Sequence, residues 1–174
     1  MTKKPESLDE FFDHFETEAF RLETLDDYGR SGNWGAYQKF LAGEQQPPDY
    51  NHEWVDWLTN TTQSGKRVYR VHILTRPLTP YLQYELGWGY HKNATGGEEF
   101  FILDLTEKEN PLEGVGDFWL FDNSNPVVML YDNDGGFIGG ETVPSERSSK
   151  FVQYKEISLR DAQPFTEWWT EYGT

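Results

Sequence analysis

The chain has 174 residues, a length that fits one domain and can bury a substantial core. Its formal net charge of −15 argues against nucleic acid as a direct partner, because neutralising phosphates requires clustered Lys and Arg. The absence of cysteine excludes disulfides, thiolate catalysis and Cys-ligated zinc.

Residues 1–6 are expected to be disordered, ahead of a single globular domain over 1–174. Met1 to Glu10 carries no apolar signal-peptide segment, and no run approaches the roughly 18 apolar residues of a membrane span. The expectation is a cytoplasmic protein. Ser7-Leu8-Asp9-Glu10 reads as a capping box, and Leu8, Phe11, Phe12, Phe15 and Ala19 follow at helical spacing. That helix should end between Glu16 and Ala19, with a short strand over Phe20 to Thr24. Asp26 to Gly35 is a Gly-rich connection. Trp34 to Ala42 reads as a helix stopped by Gly43, and Asn51 as the N-cap of a helix that carries Trp54, Val55 and Leu58 and ends at Gly65.

Arg67 to Leu74 alternates as a strand, with Val68, Arg70, His72 and Leu74 on one face and Tyr69, Val71 and Ile73 on the other. Thr79-Pro80 is an N-cap and N1 pair that opens a short helix halting at Gly87. Glu99 to Leu105 is a strand, so Arg67 to Leu105 has the pattern of a βαβ crossover. Phe118 to Phe121 and Val127 to Tyr131 are apolar on both faces and belong in the middle of a covered sheet. Asp132 to Gly136 is a hairpin turn, Phe137 to Val143 a returning strand, Ser145 to Glu156 a helix. Phe165, Trp168, Trp169 and Tyr172 mark a last helix begun or kinked by Pro164. The fold class is α/β or α+β: a single mixed sheet of about five or six strands with helices on its faces.

The four histidines, His14, His52, His72 and His91, form no H-x-x-x-H pair, so helix-borne zinc has no support, and no metal or cofactor is expected. The Asp132 loop lacks the calcium ligands of an EF-hand, having Gly136 and Val143 where a third oxygen and the closing Glu belong. Asp104, Asp117, Asp122 and Asp132 sit at strand ends, where acids serve chiefly to meet water. No nucleophile elbow, Rossmann glycine pattern or P-loop occurs. What remains is a polar and aromatic set, Arg21, Glu23, Arg70, His72, Tyr81, Tyr84 and Glu85. An Arg on an apolar strand needs a carboxylate, and Glu23 and Glu85 are the expected partners. The set would suit structural ion pairs, or a cleft for a small anionic ligand around Arg70 and Tyr81.

Several motifs occur in a family order: Phe20-Arg21-Leu22-Glu23-Thr24 with Tyr28, Phe40-Leu41-Ala42-Gly43-Glu44, Pro77-Leu78-Thr79-Pro80-Tyr81 with Tyr84-Glu85, and Asp117-Phe118-Trp119-Leu120-Phe121-Asp122. From about Leu8 to Tyr172 the chain resembles a family of uncharacterised actinobacterial proteins, each one domain of unknown function, often encoded near Xre-type helix-turn-helix regulators. The resemblance implies a cytoplasmic bacterial protein with a regulatory role and supplies no catalytic residues. A looser likeness is to phospholipase-D-like sheets, but the His and Lys of that chemistry are absent, so the analogy concerns fold alone.

The first functional expectation is therefore a non-enzymatic regulatory or interaction module. It would present an acidic, aromatic surface to a basic partner such as a DNA-binding regulator, with Trp34, Trp88, Trp168 and Trp169 as candidate anchors. The alternatives are an enzyme or small-ligand binder using the Arg70–Tyr81 cleft, and a toxin–antitoxin component. Oligomeric state and sheet order are open at this level.

Overall fold

The alternating strand patterns resolve into one seven-stranded sheet of order β6-β5-β4-β1-β2-β3-β7, seen in a computed structural model that describes residues 7–173. The disorder expected for residues 1–6 lies outside the described residues. The strands are β1 (Glu18–Glu23), β2 (Arg67–Leu74), β3 (Glu99–Asp104), β4 (Phe118–Phe121), β5 (Asn125–Tyr131), β6 (Phe137–Thr142) and β7 (Gln163–Pro164). Strands β1, β2 and β3 run parallel, while β4, β5, β6 and β7 pair antiparallel to their neighbours.

The class expected from the sequence is the one observed, with seven strands in place of five or six. The additional strand, β7, is a two-residue segment pairing with Phe101 and Ile102 of β3. It is too short to show a period of two, and Pro164 lacks the N–H that marks a strand former.

The helices are α1 (Leu8–His14), α2 (Trp34–Leu41), α3 (His52–Gln63), α4 (Pro80–Tyr84), α5 (His91–Ala94), α6 (Ser148–Arg160) and α7 (Phe165–Tyr172). Ser7 caps α1 by accepting from the Glu10 N–H, as the capping box requires. The helix stops at His14, because Phe15 is already extended. Gly43 and Gly65 take positive φ after α2 and α3, the backbone state in which glycine pays no Cβ penalty. Asn51 is the N-cap residue of α3 as expected, but it is left-handed at φ 55° and its side chain makes no capping bond, donating instead to Asn93 Oδ1 at 3.2 Å.

The helix opened by Thr79 and Pro80 is also longer than its sequence suggests. It does not halt at Gly87 but continues through a π-helical turn, Glu85–Tyr90, into α5. Such turns displace the following side chains from α-helical register and recur at functional sites.

Both faces of the central strands are covered. Phe20, Leu22, Tyr69, Val71, Leu103, Phe118 and Leu120 form one buried layer, against Phe151, Val152 and Ile157 of α6. The opposite face holds two aromatic clusters. Phe11, Phe15, Leu58, Trp119 and Phe121 form one, and Tyr37, Tyr81, Tyr84, Phe100, Phe165 and Trp168 the other. The Phe118 to Phe121 run is central as expected, between β1 and β5. The Val127 to Tyr131 run is not fully covered: β5 lies one strand from the β6 edge, and Leu130 is 40% exposed.

The strand-end acids do not gather at one edge. Asp122 accepts from the backbone N–H groups of Glu16, Thr17 and Glu18 at 2.8, 2.7 and 3.1 Å, stapling the start of β1. Asp132 accepts from Asp134 and Gly136 within its own turn. Asp104 takes Arg76 and the Trp168 indole N–H.

Candidate functional site

The two crossovers of the parallel segment place Arg21 of β1 directly beside Arg70 of β2, and Glu23 beside His72. Neighbouring strands stand about 4.8 Å apart, so like charges so placed repel unless other groups neutralise them. The protein neutralises each guanidinium separately. Arg21 Nη2 donates to Asp117 Oδ2 at 2.9 Å and to the Tyr131 hydroxyl at 2.8 Å. Arg70 donates through Nη1 to Glu23 Oε1 at 3.0 Å and through Nη2 to Glu98 Oε1 at 2.6 Å. The Trp119 ring flanks both, 5.8 Å from Arg21 and 5.7 Å from Arg70.

This corrects the expected partners. Glu23 does pair with Arg70, but Arg21 takes Asp117, an acid that reads in sequence as strand-end punctuation. Glu98, next to the expected strand, supplies the second carboxylate on Arg70. Asp117 is a hub: Tyr28 Oη donates to it at 2.6 Å, and the Thr24 N–H and hydroxyl donate at 2.9 and 2.5 Å. The sequence signal available for Asp117 was its buried surroundings, an acid followed at once by a strand apolar on both faces.

At the carboxyl ends of β1 and β2, Glu23, His72, Tyr90 and Glu85 meet. The Tyr90 hydroxyl donates to Glu23 Oε1 at 2.5 Å and lies 2.9 Å from His72 Nδ1. His72 Nε2 is 2.9 Å from the Leu25 carbonyl, which only accepts, so Nε2 carries a hydrogen. Glu85 Oε2 lies 3.6 Å from His72 Nδ1. It is buried, and the Glu85 carboxyl shares a hydrogen bond with Glu23; Arg21 Nε and Arg70 Nε are buried without an acceptor.

The two carboxyls of this centre titrate in opposite directions. Burial pushes Glu23 up, but Arg70, with His72 and Arg21, outweighs burial and holds it below the usual carboxylate range. For Glu85 the pull of the same cations, Arg70 and Arg21, is outweighed. Burial and the adjacent Glu23 charge push it well above that range, so it stays protonated where Glu23 is ionised. A pair split this way is the arrangement of a proton donor beside a proton acceptor.

Ligand atoms of Glu23, His72 and Glu85 lie within 4.8 Å of one another, a grouping drawn from two strands and a helix that no sequence spacing reveals. The donor set suits proton sharing better than a metal ion, since Arg70 already places a positive charge 3.0 Å from Glu23.

Above this centre is a cleft of about 170 Å³, lined by Arg70, Tyr81, Tyr84, Glu85 and Tyr90 together with Tyr50, Gly89 and three asparagines, Asn33, Asn51 and Asn93. Of the residues proposed from sequence, Arg70, Tyr81, Tyr84 and Glu85 thus share one cleft, with Glu23 and His72 beneath it. Arg21 lies away from the cleft lining, held by Asp117. Tyr50, Tyr90, Asn93 and Glu98 were missed, because single residues on separate loops and helices carry no spacing.

The four tryptophans separate. Trp168 is fully buried with its N–H on Asp104 at 2.9 Å, and is a core residue, not an anchor. Trp34 is 52% exposed. Trp88 and Trp169 share a groove with Phe40, Leu78 and Tyr172.

The fold and site together define a mixed α/β protein whose covered sheet face carries a buried cluster of guanidiniums, carboxyls and a histidine toward the carboxyl ends of β1 and β2. The chain belongs to the family described as domain of unknown function DUF6879, whose model matches residues 6–170. A search of curated proteins finds no match. Among the described residues, no helix is long and apolar enough to cross a membrane.

Proposed function

We propose that this protein binds a small molecule in the cleft formed by Arg70, Tyr81 and Glu85, with Glu85 as a proton donor toward it. The observation that carries this reading is Glu85. It lines the cleft and, beside an ionised Glu23, is held protonated by burial and by the Glu23 charge, so a proton stands at the edge of the cleft.

Gly89 provides the test. A methyl there would sit 3.5 Å from Tyr50 Oη and 4.0 Å from Glu85 Cγ, ordinary contacts that occupy the cleft without a clash. Gly89→Ala is therefore expected to fold and to be stabilised by about 0.4–1 kcal/mol. In a ligand-observed NMR screen of small polar metabolites, wild type should bind at least one compound and Gly89→Ala should lose it. A wild type that binds none, or a variant that binds equally well, refutes the reading.

A second reading draws on the Trp88–Trp169 groove, about 720 Å³ in volume. It is a docking surface for a basic partner, and a helix-turn-helix regulator encoded beside this chain in the cytoplasm suits the charge of −15. Trp88→Ala and Trp169→Ala should each weaken binding to that regulator in calorimetry by about tenfold or more. Unchanged affinity in both variants would remove this reading.

A further inference from the structure

We infer that the ligand of the Tyr81–Glu85 cleft is uncharged and presents a planar amide edge, an N–H beside a C=O in one small ring, to the paired side chains of Asn51 and Asn93. This rests on the cleft being a ligand site and adds the chemistry it selects.

The argument begins with charge. Apart from tyrosines, Arg70 and Glu85 are the ionisable groups in the lining of the cleft, among the described residues. Both amino groups of Arg70 are engaged, by Glu23 at 3.0 Å and by Glu98 at 2.6 Å. An incoming anion would have to displace one of these carboxyls. The anionic ligand expected from sequence required a free guanidinium fork, and the fold closes that fork. Glu85 is protonated and bonded to Glu23, so it gives a cation no counterion. Glu23, His72 and Glu98 lie outside the lining. A charged group entering the cleft would lose its hydration and meet no opposite charge, a cost that an uncharged group avoids.

What the cleft offers instead is neutral hydrogen-bonding groups. Asn51 Nδ2 donates to Asn93 Oδ1 at 3.2 Å. That bond leaves the Asn51 oxygen and the Asn93 amino group without a partner among the described residues, an acceptor and a donor on adjoining side chains. Turning both amides over exchanges the two roles and keeps the complement. An amide edge carries the reciprocal donor and acceptor. Asn93 is 8% exposed, and both residues line the cleft. Asn51 takes its place there from a left-handed backbone, leaving α3 without a side-chain cap. Tyr81 supplies a third group. It is 6% exposed, and its hydroxyl has no hydrogen-bonding partner among the described residues, whereas most buried hydroxyls have one.

Shape adds a further constraint. The walls are the rings of Tyr50, Tyr81, Tyr84 and Tyr90, which favour a flat ring over a flexible chain. The cleft of about 170 Å³ admits one such ring. Asn33, Tyr50 and Asn51 also line an outer cavity of about 550 Å³, so the two adjoin and a substituent on the ring has a place to lie.

The experiment uses full-length protein and four probes built on one six-membered ring, titrated by ligand-observed NMR: 2-pyridone, which has the amide edge, pyridine, which has an acceptor alone, benzoate and benzylammonium. The 2-pyridone should bind in preference. Asn93→Asp keeps the oxygen that accepts from Asn51 but puts an acceptor where the donor was, and should weaken 2-pyridone by about tenfold or more. Tyr81→Phe removes a hydroxyl that bonds to nothing in the fold. It should weaken 2-pyridone by a similar factor with the melting temperature unchanged. Preferential binding of pyridine, benzoate or benzylammonium, lost in Gly89→Ala, overturns the inference and leaves the cleft standing as a ligand site. Binding of 2-pyridone that survives both Asn93→Asp and Tyr81→Phe overturns it as well, by placing the ring elsewhere. If no probe binds wild type the inference fails, and the ligand reading is then decided by the metabolite screen alone.

Discussion

Asp117→Ala is expected to destabilise the protein by about 3–5 kcal/mol, the cost of leaving a buried charge without its partner. For a chain of this size that is a fall of roughly 6–20 °C in melting temperature. The reason is local. Asp117 accepts from Arg21, Tyr28 and Thr24, and Arg21 is only 5% exposed. With Asp117 gone, Arg21 keeps the Tyr131 hydroxyl alone, beside Arg70 on the next strand. The double variant Arg21→Met/Asp117→Leu should recover much of the loss, because replacing both members of a buried pair removes desolvation and attraction together. Urea unfolding followed by tryptophan fluorescence measures both. A single-variant loss under about 1 kcal/mol would show that the pair is not what neutralises Arg21.

Glu23→Gln and Glu85→Gln should differ sharply although the substitutions are chemically identical. Glu23 is ionised and neutralises Arg70, so Glu23→Gln should cost about 3–5 kcal/mol. Glu85 is protonated in the fold but ionised in the unfolded chain at pH 7, so its amide, which needs no proton to fold, should equal or exceed wild type in stability there.

Their pH dependences run in opposite senses. The depressed Glu23 carboxyl contributes stability that is present above its unfolded pKa of about 4.3 and lost as pH falls through its lower folded value. The raised Glu85 carboxyl contributes stability that is full below about 4.3 and lost as pH rises through its higher folded value. Glu85→Gln should therefore gain on wild type as pH rises, and Glu23→Gln should fall furthest behind at neutral pH. Unfolding free energies measured from pH 4 to 9 test this. A larger loss at pH 7 in Glu85→Gln than in Glu23→Gln would mean that the charge assignment is reversed.

Much of the fold was legible because it depends on local spacing. The Ser7 capping box, the Thr79-Pro80 start and the glycine stops at Gly43 and Gly65 act within a few residues, and all recur in the structure. The alternation of Arg67 to Leu74 gave a strand with the faces observed. Illegible elements depended on distant partners. β7 is defined only by its pairing with β3, and the π turn only by the backbone of Glu85 to Tyr90, where Leu86, Gly89 and Tyr90 are buried.

The site divides the same way. Arg21 and Arg70 stood out from sequence because a guanidinium on an apolar strand must be neutralised. Which acid neutralises which depended on sheet order and register, and β4 beside β1 brings Asp117 to Arg21 across 96 residues of chain. Sequence alone thus determined a mixed α/β sheet with charged residues on a covered face, since periodicity and charge are local properties. Only the tertiary structure decided that Glu23 is ionised, Glu85 neutral and the Arg70 fork closed, because ionisation in a buried centre is set by neighbours that the chain supplies from different strands and helices.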